Sequence, residues 1–138
     1  MTVTFDAISQ NEAVARMVVA AFLTNFNPTM DEMTDVKTAV SEAVTNAIIH
    51  GYDGKEGRIQ MTCQQKSKDF TVAIQDKGRG ISDVKKAMEP FYTSRPELER
   101  SGMGFAFMEA FMDDVEVISQ VDVGTTVIMR KRLGDADT

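Results

Sequence analysis

Four groups of residues have types and spacings that could do chemistry. Glu42 and Asn46 stand four apart in a stretch of helical periodicity, so their side chains leave one side of a helix. A carboxylate beside an amide oxygen can position a water or hydroxyl, together with a hard cation such as Mg²⁺ that takes oxygen ligands. The same pair also fits a plain solvated stripe. Asp76-x-Gly78-x-Gly80-Ile81 follows a predicted strand. Its glycines permit positive φ and close backbone approach to a ligand, and an Asp at a strand end can accept from an exocyclic amine. An ordinary Asp/Gly turn has the same appearance.

Arg100-Ser101-Gly102-Met103-Gly104-Phe105 closes an irregular stretch and opens a helix. Glycine amides at a helix N-terminus suit phosphate, and the planar, permanently charged Arg100 fork could reach a terminal one. A glycine hinge before a helix is the plainer reading. The G-x-x-x-x-G-K-[ST] signature is missing, so this is not a P-loop. Gly124-Thr125-Thr126 alone reads as a hairpin turn. His50 fits a helix-end cap as well as a ligand contact, and Arg16 alone reads as a solvated charge. The Met and Phe residues from Met103 to Met112 read as core.

These groups need elements to hold them. Residues 3–8 alternate apolar and polar as an edge strand does. Ser9 and Asn11 are cap candidates for a helix over about 12–26. Asn27-Pro28-Thr29 breaks that helix, and Asp31-Glu32 opens a second one reaching about Ile49, with Gly51 as its stop. On this second helix Val36, Val40, Ala43, Val44, Ala47 and Ile48 share the core face. Asp35, Glu42 and Asn46 lie away from it, and His50 lies between. Arg58–Gln64 and Phe70–Ile74 read as strands joined through Lys66-Ser67-Lys68-Asp69. A short helix follows over Asp83–Met88, then a long loop over 90–102, then a helix over Met103–Met112. Val115–Gln120 and Thr125–Arg132 close the chain as a hairpin about Asp122-Val123-Gly124. The pattern predicts an α+β fold: a two-layer α/β sandwich with a mixed, mostly antiparallel sheet covered by helices on one face. It is read as one domain over 1–138, with a lid at about 90–103 and a frayed tail at about 133–138.

Composition narrows the possibilities. At 138 residues the chain holds one domain, and 43% hydrophobic with 26% charged residues fits a soluble globular class. Fifteen Lys and Arg against 21 Asp and Glu leave a net charge of −6, which argues against direct nucleic-acid binding through phosphates. The longest apolar run, Met17–Leu23, is far short of the roughly 20 residues that span a bilayer, so no membrane partner is expected. Cys63 is the only cysteine and His50 the only histidine, so neither a disulfide nor a transition-metal cluster is expected. A cytoplasmic location is the simplest reading.

Taken together, Glu42-x-x-x-Asn46, Asp76-x-Gly78-x-Gly80, Gly102-x-Gly104 and Gly124-Thr125 occur in the order of a known set of boxes. They resemble the ATP-binding domain shared by gyrase, the Hsp90 chaperones, histidine kinases and MutL. A narrower resemblance covers almost the whole chain. Ser41–Tyr52, Pro96–Phe105, Met108-Glu109, Phe111-Met112-Asp113 and Pro28–Glu32 are similar to the family of sporulation anti-sigma-F factors. The short Asp53–Gly57 loop and a short tail depart from it, outside the nucleotide boxes.

That resemblance implies a dimeric serine protein kinase that is also a sigma-factor inhibitor. With ATP bound, such a protein sequesters sigma-F, and it phosphorylates a serine of an anti-anti-sigma factor. The resemblance implies that Asn46 binds Mg²⁺ and that Asp76 binds the adenine amino group of ATP or ADP. It implies that Gly78 and Gly80 leave room for the nucleotide and that Thr125 supports adenine, directly or through water. Arg100, Ser101, Gly102, Met103 and Gly104 would hold the phosphates. Glu42 would be the general base or orienting carboxylate, and Arg16 a contact shared by both protein partners. Two other readings share these residues. One is a nucleotide-gated sigma-binding module without significant kinase activity. The other is a stress-response anti-sigma kinase with a different sigma partner.

Overall fold

The computed structural model describes residues 1–89 and 104–134. The elements run β1 (Thr2–Asp6), α1 (Gln10–Leu23), α2 (Met30–Asn46), a π-helical turn (Ala47–Gly51), β2 (Arg58–Lys66), β3 (Asp69–Asp76), α3 (Val84–Ala87), α4 (Gly104–Phe111), β4 (Asp114–Gln120) and β5 (Gly124–Arg132). The strands form one five-stranded sheet in the order β1-β2-β3-β5-β4. Every pairing among the described strands is antiparallel. The sheet is therefore wholly antiparallel where a mixed one was also admitted. β1 is an edge strand, as its alternation predicts.

Strand alternation decides which face is covered. Ile59, Met61 and Cys63 of β2, Phe70, Val72 and Ile74 of β3, and Val127 and Met129 of β5 are buried beneath the helices. They meet Ala15, Val19 and Leu23 of α1 and Val36, Val40 and Val44 of α2. Residues between them, such as Gln60, Thr62, Thr71 and Ala73, face away and are partly or fully exposed. One face is thus packed and the other open, as the pattern predicts.

Helix boundaries differ from expectation in instructive ways. α1 starts two residues earlier than expected and ends at Leu23, where Thr24 Oγ1 donates back to the Ala21 carbonyl at 2.7 Å. Ser9 occupies the N-cap position without a side-chain bond, while the Asn11 amide donates instead to the Asp6 carbonyl. α2 opens through a capping box: Glu32 N–H donates to Thr29 Oγ1 at 3.1 Å and Thr29 N–H to Glu32 Oε1 at 2.8 Å. Its regular hydrogen bonding stops at Asn46 rather than Ile49. The chain then widens into the π-helical turn, with Tyr52 N–H donating to the Ala47 carbonyl at 3.0 Å. Gly51 is the end of that turn and not a left-handed stop. The reversal comes at Asp53 (φ 54°) and Gly54 (φ 73°).

Of the expected tail over 133–138, residues 133 and 134 are held in the fold, and the rest lies outside the described residues. Leu133 is buried, its N–H donates to the Lys68 carbonyl at 2.8 Å, and Gly134 N–H reaches Glu32 Oε1 at 3.3 Å. An apolar side chain that closes the end of the core holds residues 133 and 134 in place. Among the described residues no helix is long and apolar enough to cross a membrane.

Candidate functional site

A cavity of about 370 Å³ opens between the end of α2, the loop after β3, the start of α4 and the β4–β5 turn. That size is typical of small-molecule sites. Asn46, Asp76, Gly80, Gly104 and Thr125, all expected site residues, line it. Arg100, Ser101, Gly102 and Met103, with the expected lid over 90–103, lie outside the described residues.

Asp76 is the buried floor of this cavity, only 6% exposed. It ends β3 and pairs across the sheet with Ile59 on one side and Thr125 on the other. Its Oδ1 accepts the Gly78 N–H at 2.9 Å. Burial pushes its carboxyl above the ordinary value of 3.8, and the backbone N–H groups of Gly78 and Thr125 pull the other way. A buried carboxylate beside Ile74 and Val127 is costly unless it meets a donor. That makes its chemistry suited to an amine or amide N–H of a ligand.

Each glycine of the two expected loops marks a close approach. A methyl group at Gly78 would lie 2.0 Å from the Gly51 carbonyl oxygen. Gly80 has φ +74°, and a methyl there would lie 2.2 Å from the Gln120 carbonyl oxygen. Gly124 is more than a hairpin glycine: with φ +142°, it sits where a methyl would lie 2.2 Å from the Asp76 carbonyl oxygen. The loop after β3 and the β4–β5 turn are thus packed backbone to backbone.

Thr125 belongs to a network that sequence reasoning missed. Its Oγ1 lies 2.8 Å from Ser119 Oγ. Ser119 Oγ also accepts the Ile81 N–H at 2.7 Å and donates to the Gly124 carbonyl at 3.1 Å. Ser119 and Thr125 face each other across β4 and β5, a register that the sequence alone does not reveal. Tyr52 was missed too. Its hydroxyl donates to the Arg58 carbonyl and accepts the Lys77 N–H at 2.8 Å, which pins the loop after β3 to the start of β2.

On the helical wall, α2 and α4 meet where the expected pair stands. A methyl at Gly104 would lie 3.1 Å from both amide atoms of Asn46 and 3.4 Å from Glu42 Oε2. The first residue of α4 thus rests on both side chains of the i,i+4 pair. The core face of α2 is as predicted, with Ala39 added and Ile48 only partly buried. His50 lines the cavity from the π-helical turn.

Arg16 lies on α1, away from the cavity. Its Nε is 2.8 Å from Glu12 Oε1, an ion pair without hydrogen-bond alignment. Ser41 Oγ donates to the same Glu12 oxygen, tying α1 to α2 one residue before Glu42.

Asp76 offers an acceptor at the closed end of a cavity of suitable volume, and Asn46 offers an amide oxygen beside Gly104. Among the described residues no group of three His, Cys, Asp or Glu could cage a metal. A Mg²⁺ at Asn46 would therefore take its other oxygens from phosphate and water, the usual arrangement for this ion. The residues present fit ATP with Mg²⁺.

This fold and cavity are those of a nucleotide-binding sandwich, and the histidine kinase-like ATPase domain family matches residues 5–131. The structure is similar to the RsbU and RsbW domains of Rv1364c from Mycobacterium tuberculosis, with a TM-score of 0.70 at 21% identity over 96% of this chain and 32% of that one. It is also similar to the catalytic domain of the histidine kinase ThkA, with a TM-score of 0.62 at 15% identity over 97% of each chain. Sequence similarity is closer still. An anti-sigma F factor of Clostridium novyi is 57% identical over 96% of this chain and 94% of its own length. One of Halalkalibacterium halodurans is 54% identical, covering 96% and 92%. Within the histidine kinase-like ATPases, the chain belongs to the anti-sigma F factor family.

Proposed function

We propose that the chain sequesters the sporulation sigma factor sigma-F in an ATP-dependent way and, as a serine protein kinase, phosphorylates its anti-anti-sigma factor. The observation that carries this reading is a cavity with Asp76 as its floor and Asn46 and Gly104 in its lining, with Glu42 standing beside that pair against Gly104. Asp76 would hold the base of a nucleotide there, and Asn46 and Gly104 its phosphates. The similarity to anti-sigma F factors supports the sigma-F partner.

In this reading Asp76 accepts the adenine amino group, Gly78 and Gly80 let the loop after β3 pack closely enough on Gly51 and Gln120 to shape the ring's pocket, and Thr125 hydrogen-bonds to the ring directly or through water. Asn46 would hold Mg²⁺, an ion that would supply positive charge beside the phosphates. Gly104, with Arg100, Ser101, Gly102 and Met103, binds the phosphates. Glu42 orients the incoming serine hydroxyl and takes its proton as the oxygen attacks the γ-phosphorus and ADP leaves. Alignment and charge neutralisation carry most of such a reaction. Arg16 meets both protein partners, so that one displaces the other. The protein works as a homodimer in the cytoplasm.

The test is transfer of labelled γ-phosphate from ATP, with Mg²⁺, to a candidate anti-anti-sigma protein. Label on a partner serine supports the kinase. ATP binding and sigma-F capture without label would leave a nucleotide-gated sigma-binding module.

A further inference from the structure

The π-helical turn ends in carbonyl groups that have no regular helical partner, and one residue takes up two of them. Arg79 Nε–H donates to the His50 carbonyl at 2.7 Å. The backbone N–H of the same residue donates to the Gly51 carbonyl at 2.8 Å. Its own carbonyl accepts the Asp122 N–H at 2.8 Å. Arg79 thus joins three walls of the cavity: the end of α2, the loop after β3 and the β4–β5 turn.

The wall it holds bears on Asp76. A methyl at Gly51 would lie 2.8 to 2.9 Å from Cγ and both oxygens of the Asp76 carboxylate. The carboxylate is therefore confined between the Gly51 backbone and the Gly78 N–H. If the turn shifts away, that confinement is lost on one side.

We infer that Arg79 is a positioning residue for base recognition: it clamps the π-helical turn so that Gly51 holds the Asp76 carboxylate toward the cavity. The inference rests on reading Asp76 as the acceptor for the adenine amino group. The clamp is made by the Nε–H donor, and the variants below separate that donor from the guanidinium charge.

The two roles separate by substitution. Glutamine carries an N–H donor at the same distance along the side chain but no charge. Lysine keeps the charge and moves the donor one bond outward. Dissociation constants are measured for Mg-ATP and for Mg-inosine triphosphate, which has a carbonyl where adenine has its amino group. Wild type prefers ATP. Arg79→Ala and Arg79→Lys bind ATP about tenfold more weakly, a step of about one lost hydrogen bond, and inosine triphosphate almost as before. Arg79→Gln regains the preference.

Equal weakening of both nucleotides would overturn the inference, because it marks a general loosening of the fold. So would a lysine variant that behaves as wild type beside a glutamine variant that does not, which marks a role for charge. Should Arg79→Ala not fold, the glutamine and lysine pair decides alone. A wild type that does not distinguish the two nucleotides would sink the reading of Asp76 itself, and the inference with it. A wild type that does, with every variant unchanged, would sink only the inference.

Discussion

The floor and the helical wall of the cavity are built in opposite ways. The floor is assembled from distant parts of the chain: Asp76 from β3, Ser119 and Thr125 from β4 and β5, and Gly51 from the end of the π-helical turn. Crossing hydrogen bonds and backbone contacts hold these parts together. The wall rests on one turn of one helix, Glu42 and Asn46, against the first residue of α4. A floor of this kind resists deformation and suits recognition of a rigid ring. A wall made by one helical turn presents its two side chains together, which suits them to act on a reacting group.

Substitutions can break this division or sharpen it. The largest effect is expected on the wall. Glu42→Ala should reduce phosphotransfer at least ~100-fold, the range of general-base catalysis, with ATP affinity kept. Transfer at the wild-type rate would remove Glu42 from the chemistry.

Asp76→Asn tests the floor, where binding and stability should move in opposite directions. ATP affinity should fall about 10- to 100-fold through loss of a charge-assisted hydrogen bond. The melting temperature at pH 7 should rise, because the variant no longer buries an ionised carboxylate. The sign follows from the raised folded pKa. Ionised Asp76 destabilises the fold, and this cost sets in as pH climbs from 3.8 to the folded value. The gap between variant and wild type should therefore be larger at pH 7 than in acid and shrink as pH falls toward 3.8. A gap that widens in acid would contradict the burial argument.

Ser119→Ala should cost about 2 kcal/mol in urea unfolding, because it leaves the Ile81 N–H without an acceptor. Phosphotransfer at saturating ATP should change little. On the far side of α2, Arg16→Ala should weaken both partner complexes about tenfold, as loss of one interfacial arginine does, without altering ATP affinity. Calorimetry against each partner checks it. Thr29→Ala removes half of the capping box at the start of α2, far from floor and wall alike. It should cost about 1 kcal/mol of stability and nothing in nucleotide binding.

The same division explains how much was legible in the sequence. The wall could be read because i,i+4 spacing is a property of one helix: Glu42 and Asn46 point together whatever surrounds them. The core face of α2 and the two hairpins were legible from their periods of 3.6 and 2. The floor was legible at Asp76, its glycines and Thr125, but not in the bonds that join them. Ser119 gains its role from standing opposite Thr125, and cross-strand register depends on where a turn closes. The side chains of Arg79 and Tyr52 reach backbone groups 29 and 25 positions away, which no local pattern encodes. The π-helical turn has no period of its own, so the helix was drawn too long. The Thr29–Glu32 box is the exception: its T-x-x-E spacing was present in the chain and could have set the start of α2.

Asp76 also terminates the strand at the centre of the sheet, flanked by β2 and β5 and covered by helices. Amides in such a place exchange with solvent only when the whole domain opens, whereas edge strands and loop ends open far more often. The floor of the cavity is therefore expected to last as long as the fold itself. A bound ring would meet the same carboxylate throughout its stay, and the clock of release would be set by the rim.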